Sequence, residues 1–503
     1  MSDHQRRAHI ELDVGAGRER AAPVADDETP FRILVLGDFG AAAARGPLSN
    51  RRPIPVDRDT VDDAIARVAP EIVLERGAAD DVVVPITSLD DFHPDHLYDT
   101  LPLFASLRAV RARLANPATF REAARELMGG ADAAASAARD DGGASSRRPA
   151  PGHVLDAILG EPIEAAEALP ADSLQGFIRR AIEPYLVPAA DPRQDVLTEQ
   201  VDRAIANAMR GVLHHRAFQA GEAAWRSVWM LTRRLETDDR LQIHLLDVSA
   251  AELVSDMASD DAAARSALAR IIVDASVSTP GGQPWSLLVG AFTFGWDDAD
   301  LLVLERLGEM ARRAGAPFLA GAAPRLVGTT AFDGSSEPSE WSAAPIAAWD
   351  ALRASSVAPY IGLAAPRFLA RAPYGARGDE CDRLAFEELG ESGAHADFLW
   401  ANAAFACAAL LAQSYTAAGW RMRPGSRREW PALPYVLLRR NGGVDAKPCA
   451  ELLLTERASN RMLERGVMPL ASLKDQDAAL LVRFQSIADP VTALAGRWHA
   501  ADS

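Results

Sequence analysis

Lysine is nearly absent from this 503-residue chain: Lys447 and Lys474 are the only two, and every other basic side chain is arginine. No Gly-Lys dipeptide exists, which excludes a phosphate-binding loop of the Gly-Lys-Ser/Thr type. Positive charge is scarce overall. Lys and Arg number 53 against 70 Asp and Glu, a net charge of −17, which opposes a general role on nucleic acid or anionic lipid. Cysteine is sparse too. Cys381, Cys407 and Cys449 lie far apart, make no CxxC pair and have no metal-ligand spacing, so a reducing compartment is expected. The opening MSDHQRRAHIELDV has no apolar signal-peptide core, and the expected location is cytoplasmic. GxGxxG, HExxH and GxSxG are all missing, which removes the usual scaffolds for a dinucleotide, a zinc protease and a serine hydrolase.

What is present fits a globular protein: 48% hydrophobic and 24% charged residues. At ~150 residues per domain the length allows two or three domains. Gly129 to Gly152 (GGADAAASAARDDGGASSRRPAPG) is rich in Gly, Ala, Ser and Asp and reads as a flexible linker, because it buries too little to offset ordering entropy. It divides a domain at 1–128 from one at 153–503. The fold class expected is α/β, with a small α+β domain followed by a larger mixed α/β domain.

In the small domain His9 to Val14 alternates apolar and polar residues as a half-buried strand does. Phe31 to Leu36 is a strong strand ending at Gly37. Asp59 is an expected N-cap for a helix carrying Val61, Ile65 and Val68, closed by Pro70. Ile72 to Leu74 and Val82 to Ile86 read as strands, and Asp99 to Met128 as helix interrupted near Asn116-Pro117. The large domain opens with helices at Val154–Leu159, Leu174–Tyr185, Asp195–Leu213 and Phe218–Leu235. Strands then alternate with helices: Leu241–Leu246, helices over Ala250–Ala275, Ser286–Val289, helix Asp300–Arg313, Pro317–Ala320, helix Ala343–Ala354 and Tyr360–Leu363. Such alternation predicts an α/β sheet with right-handed crossovers. A long helix is expected at His395–Trp420, strands near Tyr435–Leu438 and Ala450–Leu454, and a helix over Glu456–Arg465. The stretch Phe398–Trp420 is uncharged and long enough to span a bilayer. Its Asn402, Gln413, Ser414, Thr416 and many alanines favour a buried helix instead.

No group of residues assembles a credible active site. Gly37-Asp38-Phe39-Gly40 follows a strand but reads as a tight turn, as does Gly281-Gly282. His214 and His215 are adjacent, so on a helix they point about 100° apart and suit a helix end better than one metal. His93, Asp95 and His96 permit a thin metal hypothesis, set against a solvated helix start beside Pro94. Cys407 reads as a core residue, and Cys381 sits among acids that raise its pKa. The acidic pairs (Asp62-Asp63, Asp297-Asp298 and others) read as loop and cap residues. Trp225 and Trp229, at i and i+4, read as a helix–helix contact. No residue is called catalytic, cofactor-binding or metal-ligating, and the function expected from the residues alone is interaction.

Several stretches resemble a known family. Phe31 to Gly40 (FRILVLGDFG), Arg51-Arg52-Pro53 with Ile54 to Val68 (IPVDRDTVDDAIARV), Ile86 to Pro94 (ITSLDDFHP) and Leu101 to Leu114 resemble the small sheath subunit of the bacterial type VI secretion system. Val212 to Leu231 (VLHHRAFQAGEAAWRSVWML), Leu241 to Leu253, Gly281 to Gly290 (GGQPWSLLVG), Ala316 to Ala323, Tyr360 to Gly375 (YIGLAAPRFLARAPYG), Phe398 to Phe405 and Ala450 to Leu470 follow in order and resemble the large sheath subunit. The two subunits are normally separate chains, so the sequence looks like a fusion across Gly129 to Gly152. The large subunit's carboxy-terminal region, expected after Leu470, looks missing or strongly diverged.

The resemblance implies a structural component of a contractile sheath, not an enzyme and without cofactor. Subunits polymerise into a helical tube by exchanging β-strands, and contraction delivers effectors. Ile10, Leu12 and Val14 fall where the family carries its outgoing strand. Val154, Leu155, Ile158 and Leu159 fall near the expected docking helix for a sheath-recycling AAA+ ATPase. Implied partners are other sheath subunits in a homo- or hetero-polymer, the inner-tube protein and the baseplate, with no nucleic acid and no membrane insertion. The second reading is a sheath-derived accessory or baseplate-associated adaptor that does not polymerise. An enzyme on an α/β scaffold is a third, carried by the strand–helix alternation alone.

Overall fold

The computed structural model describes residues 25, 28–40, 45–75, 81–137, 191, 193–259, 261–334, 341, 346–390, 393–440 and 443–498. Its organising element is β1 (Phe31–Gly37), whose residues are all buried except Arg32. A strand apolar on both faces needs covering on both faces and pairing on both edges. Here β1 pairs in parallel with β5 (Leu241–Asp247), Phe31 opposite Leu241 through Gly37 opposite Asp247. On its other edge it pairs in parallel with β6 (Leu287–Phe294), Ile33 opposite Leu287. The strand from the first segment is therefore central in a sheet built mostly by the second.

That sheet continues through β7 (Phe318–Ala322) and β8 (Ile361–Ala365) to β14 (Val467–Ser472), all parallel. Antiparallel strands finish it: β2 (Ile54–Val56) beside β5, and β15 (Ala479–Leu481) with β11 (Glu429–Trp430) beyond β14. The order β11-β15-β14-β8-β7-β6-β1-β5-β2 is doubly wound, with its direction of winding reversing between β1 and β6. Further pairs stand apart: β3 (Glu71–Leu74) with β4 (Val82–Pro85), β9 (Phe368–Leu369) with β10 (Trp400–Ala401), and β12 (Val436–Arg440) with β13 (Gly443–Lys447).

Helices cover both faces. Phe31, Ile33 and Val35 point into one core, packed by α1 (Val61–Val68), α3 (Pro102–Ala115), α5 (Arg193–Leu213), α6 (Arg216–Arg234) and α10 (Ala403–Ala418); α2 (Pro94–Thr100) and α4 (Phe120–Ala137) flank α3. Leu34 and Leu36 point into the other, under α7 (Ala250–Met257), a π-helical stretch at Arg270–Ser278, α8 (Asp298–Ala314), α9 (Ala347–Arg353) and α11 (Glu456–Glu464). The alternation of inward residues along β1 is the period-2 rule of strands acting on two cores.

Several expectations need correction. The helix expected from His395 starts only at Ala403, where the Asn402 carboxamide caps it by accepting from the Ala404 N–H. Before it come a 3-10 turn at His395–Asp397 and β10. Ala450–Leu454 is not a strand; Ala450 makes one bridge to Phe368. Thr60, not Asp59, precedes α1, and the Asp57 carboxylate accepts from the N–H groups of both Asp59 and Thr60. Helix α4 runs past Met128 to Ala137, because alanine favours helix as much as small size favours linkers. Residues 138–152, and the helices expected at 154–159 and 174–185, lie outside the described residues. No helix among the described residues is long and apolar enough to cross a membrane, and α10 is buried along most of its length.

Candidate functional site

In a doubly wound sheet, ligands sit beyond the carboxyl ends of the strands where the winding reverses. Here Phe39 and Ala291 crowd the end of β1. A Cβ on Gly37 would stand 2.9 Å from both the Ala291 Cβ and the Phe39 ring. Phe39 packs 5.0 Å from Trp225, whose indole N–H donates to the Phe39 carbonyl at 3.1 Å. The chain leaves β1 through Asp38 and Phe39 and bends at Gly40, and Trp225 is an anchor between the segments.

Two polar clusters surround this end of β1, and each joins the first segment to the second. In the first, the Arg45 guanidinium, almost wholly buried, contacts Asp38, Asp247 (2.8 Å) and Glu252 (3.6 Å). Asp247 ends β5 and its Oδ1 accepts from the Phe39 and Gly40 N–H groups at 2.8 and 3.0 Å. Burial raises its pKa, against the pull of Arg45 and these N–H groups. Glu252 closes a capping box with Ser249 at the start of α7 and pairs with Arg51, whose hydrogen bonds bring its pKa down to about 2.

The second cluster is deeper. Glu222 on α6, fully buried, accepts from Arg226 one turn on (2.7 Å) and from Arg371 (2.7 and 3.2 Å). Arg371 bridges to Glu388 at 2.6 and 3.0 Å. The Tyr374 ring lies 3.9 Å from the Arg371 guanidinium, and its hydroxyl accepts from Arg226 at 2.8 Å and reaches the Phe92 carbonyl of the first segment at 3.4 Å. Two guanidinium groups thus balance two carboxylates. Burial alone would raise the pKa of Glu222, but Arg371 and Arg226 hold it below its ordinary value. Burial raises that of Tyr374. A buried, neutralised and fully bonded set of this kind specifies geometry more than it adds stability.

The other residues singled out in the sequence fall into structural roles. His93 caps α2, its Nδ1 accepting from the Asp95 N–H at 3.2 Å, and its ring meets Tyr374 edge-on at 4.9 Å. His96 lies 3.3 Å from Asp91, and no cluster of three or more metal-ligating side chains occurs among the described residues. His214 ends α5 and His215 caps α6. The thiols are buried: burial pushes Cys381 and Cys407 up to about 12 and Cys449 to about 11, and at Cys381 Asp95 and Asp379 add to it. Ile10, Leu12, Val14, Val154, Leu155, Ile158 and Leu159 lie outside the described residues. Sequence reasoning missed both clusters. The Glu222–Arg226 spacing and the Ser249–Glu252 box were visible, but their partners stand far away in the chain.

Comparisons with known proteins agree with this two-segment construction. Residues 195–488, more than half of the chain, match the family described as "EvpB/VC_A0108, tail sheath N-terminal domain". Residues 2–127 match "Type VI secretion system, VipA, VC_A0107 or Hcp2". A curated relative, the type VI secretion system sheath protein TssC1 of Pseudomonas aeruginosa, is 32% identical over 289 residues, which cover 56% of this chain and 58% of the relative. The chain therefore spans less than two thirds of that relative's length. With both matches in one polypeptide, the chain belongs to the type VI secretion sheath family as a fusion of a VipA-like (TssB) and a VipB-like (TssC) segment.

Proposed function

We propose that this chain is a self-contained building block of a contractile sheath, one that polymerises into a helical tube and drives effector delivery by contraction. The observation that carries this reading is the placement of β1. The VipA-like segment supplies the central strand of a sheet whose remaining long strands are VipB-like, so the two modules form one subunit rather than tethered neighbours.

Neighbouring subunits are joined by an exchanged strand, with Ile10, Leu12 and Val14 as its apolar side, a form of strand addition. Contraction is a change between two packings of the same rigid subunits. The partners are other sheath subunits, the inner tube, the baseplate and a recycling AAA+ ATPase that engages Val154, Leu155, Ile158 and Leu159, all in the cytoplasm. Negative-stain electron microscopy of the purified full-length protein, alone and with its host's other secretion proteins, tests this. Hollow tubes or cogwheel-like cross-sections are expected. Monomers or small discrete complexes in both samples would overturn the sheath reading in favour of an accessory.

A further inference from the structure

Arg32 stands at the start of β1, half-buried, on the face that carries Leu34 and Leu36. Its guanidinium donates to the Gln242 carboxamide oxygen at 3.2 Å and to the Gln283 carbonyl, meets His244 Nε2 at 3.4 Å and covers the Trp285 ring at 4.1 Å. These partners are all neutral, since burial and the neighbouring Arg32 push the His244 pKa down to about 4. Arg45, Arg226 and Arg371 each meet a carboxylate; Arg32 meets none among the described residues. It lines a groove of about 420 Å³ beside β2, together with Arg51, Arg52, Pro53, Pro55 and Ile271. Arg51 is committed to Glu252, whereas Arg52 is exposed and has no ion pair among the described residues. No described carboxylate lines this groove, in a chain of net charge −17. Other grooves on the described surface mix their arginines with Glu387, with Asp247, or with Glu456 and Glu464.

We propose that this groove docks an acidic segment of a partner protein, one whose carboxylates are separated by apolar residues. Arginine carries more N–H donors than the contacts of Arg32 use, and the remainder hold one carboxylate. A second carboxylate pairs with Arg52, and the apolar residue between them covers Pro53, Pro55 and Ile271. The strand register sets the span. Gln242 is opposite Arg32 and Leu245 is opposite Ile54, with Arg52 two residues before Ile54. The two arginines are therefore ~16 Å apart along the sheet, the length of about five extended residues, which suits a peptide better than one inorganic anion. Arg51 and Arg52 also line the adjoining groove of about 350 Å³ that holds Arg67, so positive charge continues past the start of β2. The chain's own Asp26-Asp27-Glu28 run is a poorer occupant. Its flanks are held on the other face, Ala25 in the core that Phe31 enters and Thr29 by the Trp420 indole. A second copy is disfavoured by the like charge of two chains at −17. Docking here does not depend on whether the chain polymerises.

The test follows the fluorescence anisotropy of a dye-labelled peptide of three Glu-Leu repeats, ~20 Å when extended, titrated with the full-length protein. Saturable binding is expected. It should weaken roughly tenfold or more in Arg32→Gln, which loses charge-assisted hydrogen bonds, and about threefold in Arg52→Gln, at an exposed pair. Arg52→Gln alters an exposed side chain, so its result does not hang on folding. Arg377→Gln, exposed in another groove, should bind as the parent does, and a Gln-Leu peptide should not bind. No binding of the Glu-Leu peptide, or equal binding of the Gln-Leu peptide, overturns the acidic segment. Equal weakening in all three variants, or none in Arg32→Gln and Arg52→Gln, overturns the location. Displacement of the peptide by inorganic phosphate at equal concentration overturns the segment in favour of a single oxyanion. Tighter binding after Asp26→Asn/Asp27→Asn/Glu28→Gln means that the chain's own run competes for the groove. Displacement by excess Arg32→Gln protein, which keeps every acid but not the groove, means that a second copy does. Either overturns the assignment to a partner.

Discussion

Replacing Arg371 with methionine removes the hub of the deeper cluster without changing its volume much. Four contacts of 2.6–3.2 Å to Glu222 and Glu388 disappear together, and Arg226 alone remains against two carboxylates. Charge-assisted hydrogen bonds are not additive, so the four are not summed. Breaking a buried pair by deleting one partner costs about 3–5 kcal/mol, and full burial of Glu222 leaves no reason to discount it. The pH dependence should also change sign. In the parent, Glu222 titrates below its ordinary value near 4.5, so its contribution is present above that pH and fades as pH falls through the folded value. In Arg371→Met one carboxylate has no counter-charge, and its folded pKa rises above the unfolded one. The protonated form is then favoured, so the deficit is smallest near pH 4.5 and reaches its full size as pH rises to 7.5. Urea unfolding followed by tryptophan fluorescence at pH 5 and 7.5 measures both effects. Arg371→Met/Glu388→Gln, which restores charge balance, should recover at least half of the loss at pH 7.5. A deficit under ~1 kcal/mol at pH 7.5, or one independent of pH, would refute the assignment of this cluster as a charge-balanced joint.

Other outcomes follow from the same structure. Cutting the chain within 138–152 by an inserted protease site should leave the two segments co-eluting on size exclusion, because β1 stays paired on both edges; separate peaks would contradict the shared sheet. Trp225→Phe keeps the ring contact but leaves the Phe39 carbonyl without its donor, at a cost of about 1–2 kcal/mol in thermal or urea unfolding. Gly308→Val on α8 places a Cβ 2.7 Å from Ile361 Cδ1 and should destabilise by about 1–3 kcal/mol through overpacking, read in the same assay. Cys407, with its thiol pushed up to about 12 by burial, should not react with a thiol reagent at pH 8 until denaturant is added.

The sequence exposed local structure well and long-range structure poorly, for physical reasons. The Phe31–Leu36 strand, the α5, α6 and α8 helices and the four strands from 241 to 365 are written in apolar periodicity, which depends on near neighbours. The pairing of β1 with strands in the other segment is not, since two edge registers carry no local signal. The linker composition at 129–152 suggested two separate bodies, yet residues on both sides share one sheet. Short elements such as β9, β10 and β11 arise from tertiary packing alone. Reading Ala450–Leu454 as a strand failed because its backbone is taken by single partners instead of a ladder: the Ala450 N–H donates to the Ser472 hydroxyl and the Glu451 N–H to the Arg367 carbonyl. The charge clusters were hidden for the same reason as the sheet, their members being contributed by helices, a strand end and loops far apart in sequence.

The central position of β1 has a temporal side. It is among the first described strands to leave the ribosome, yet its neighbours begin more than 200 residues later, at Leu241 and Leu287, a separation that makes pairing slow and late. At 5–20 residues per second the wait is on the order of 10–40 s. Throughout it, an apolar FRILVL segment has no native partner on either edge. Two separately translated chains would face that interval as a search for each other. Here it is a fixed delay within one molecule, and each exposed strand is followed by one copy of the strands that enclose it.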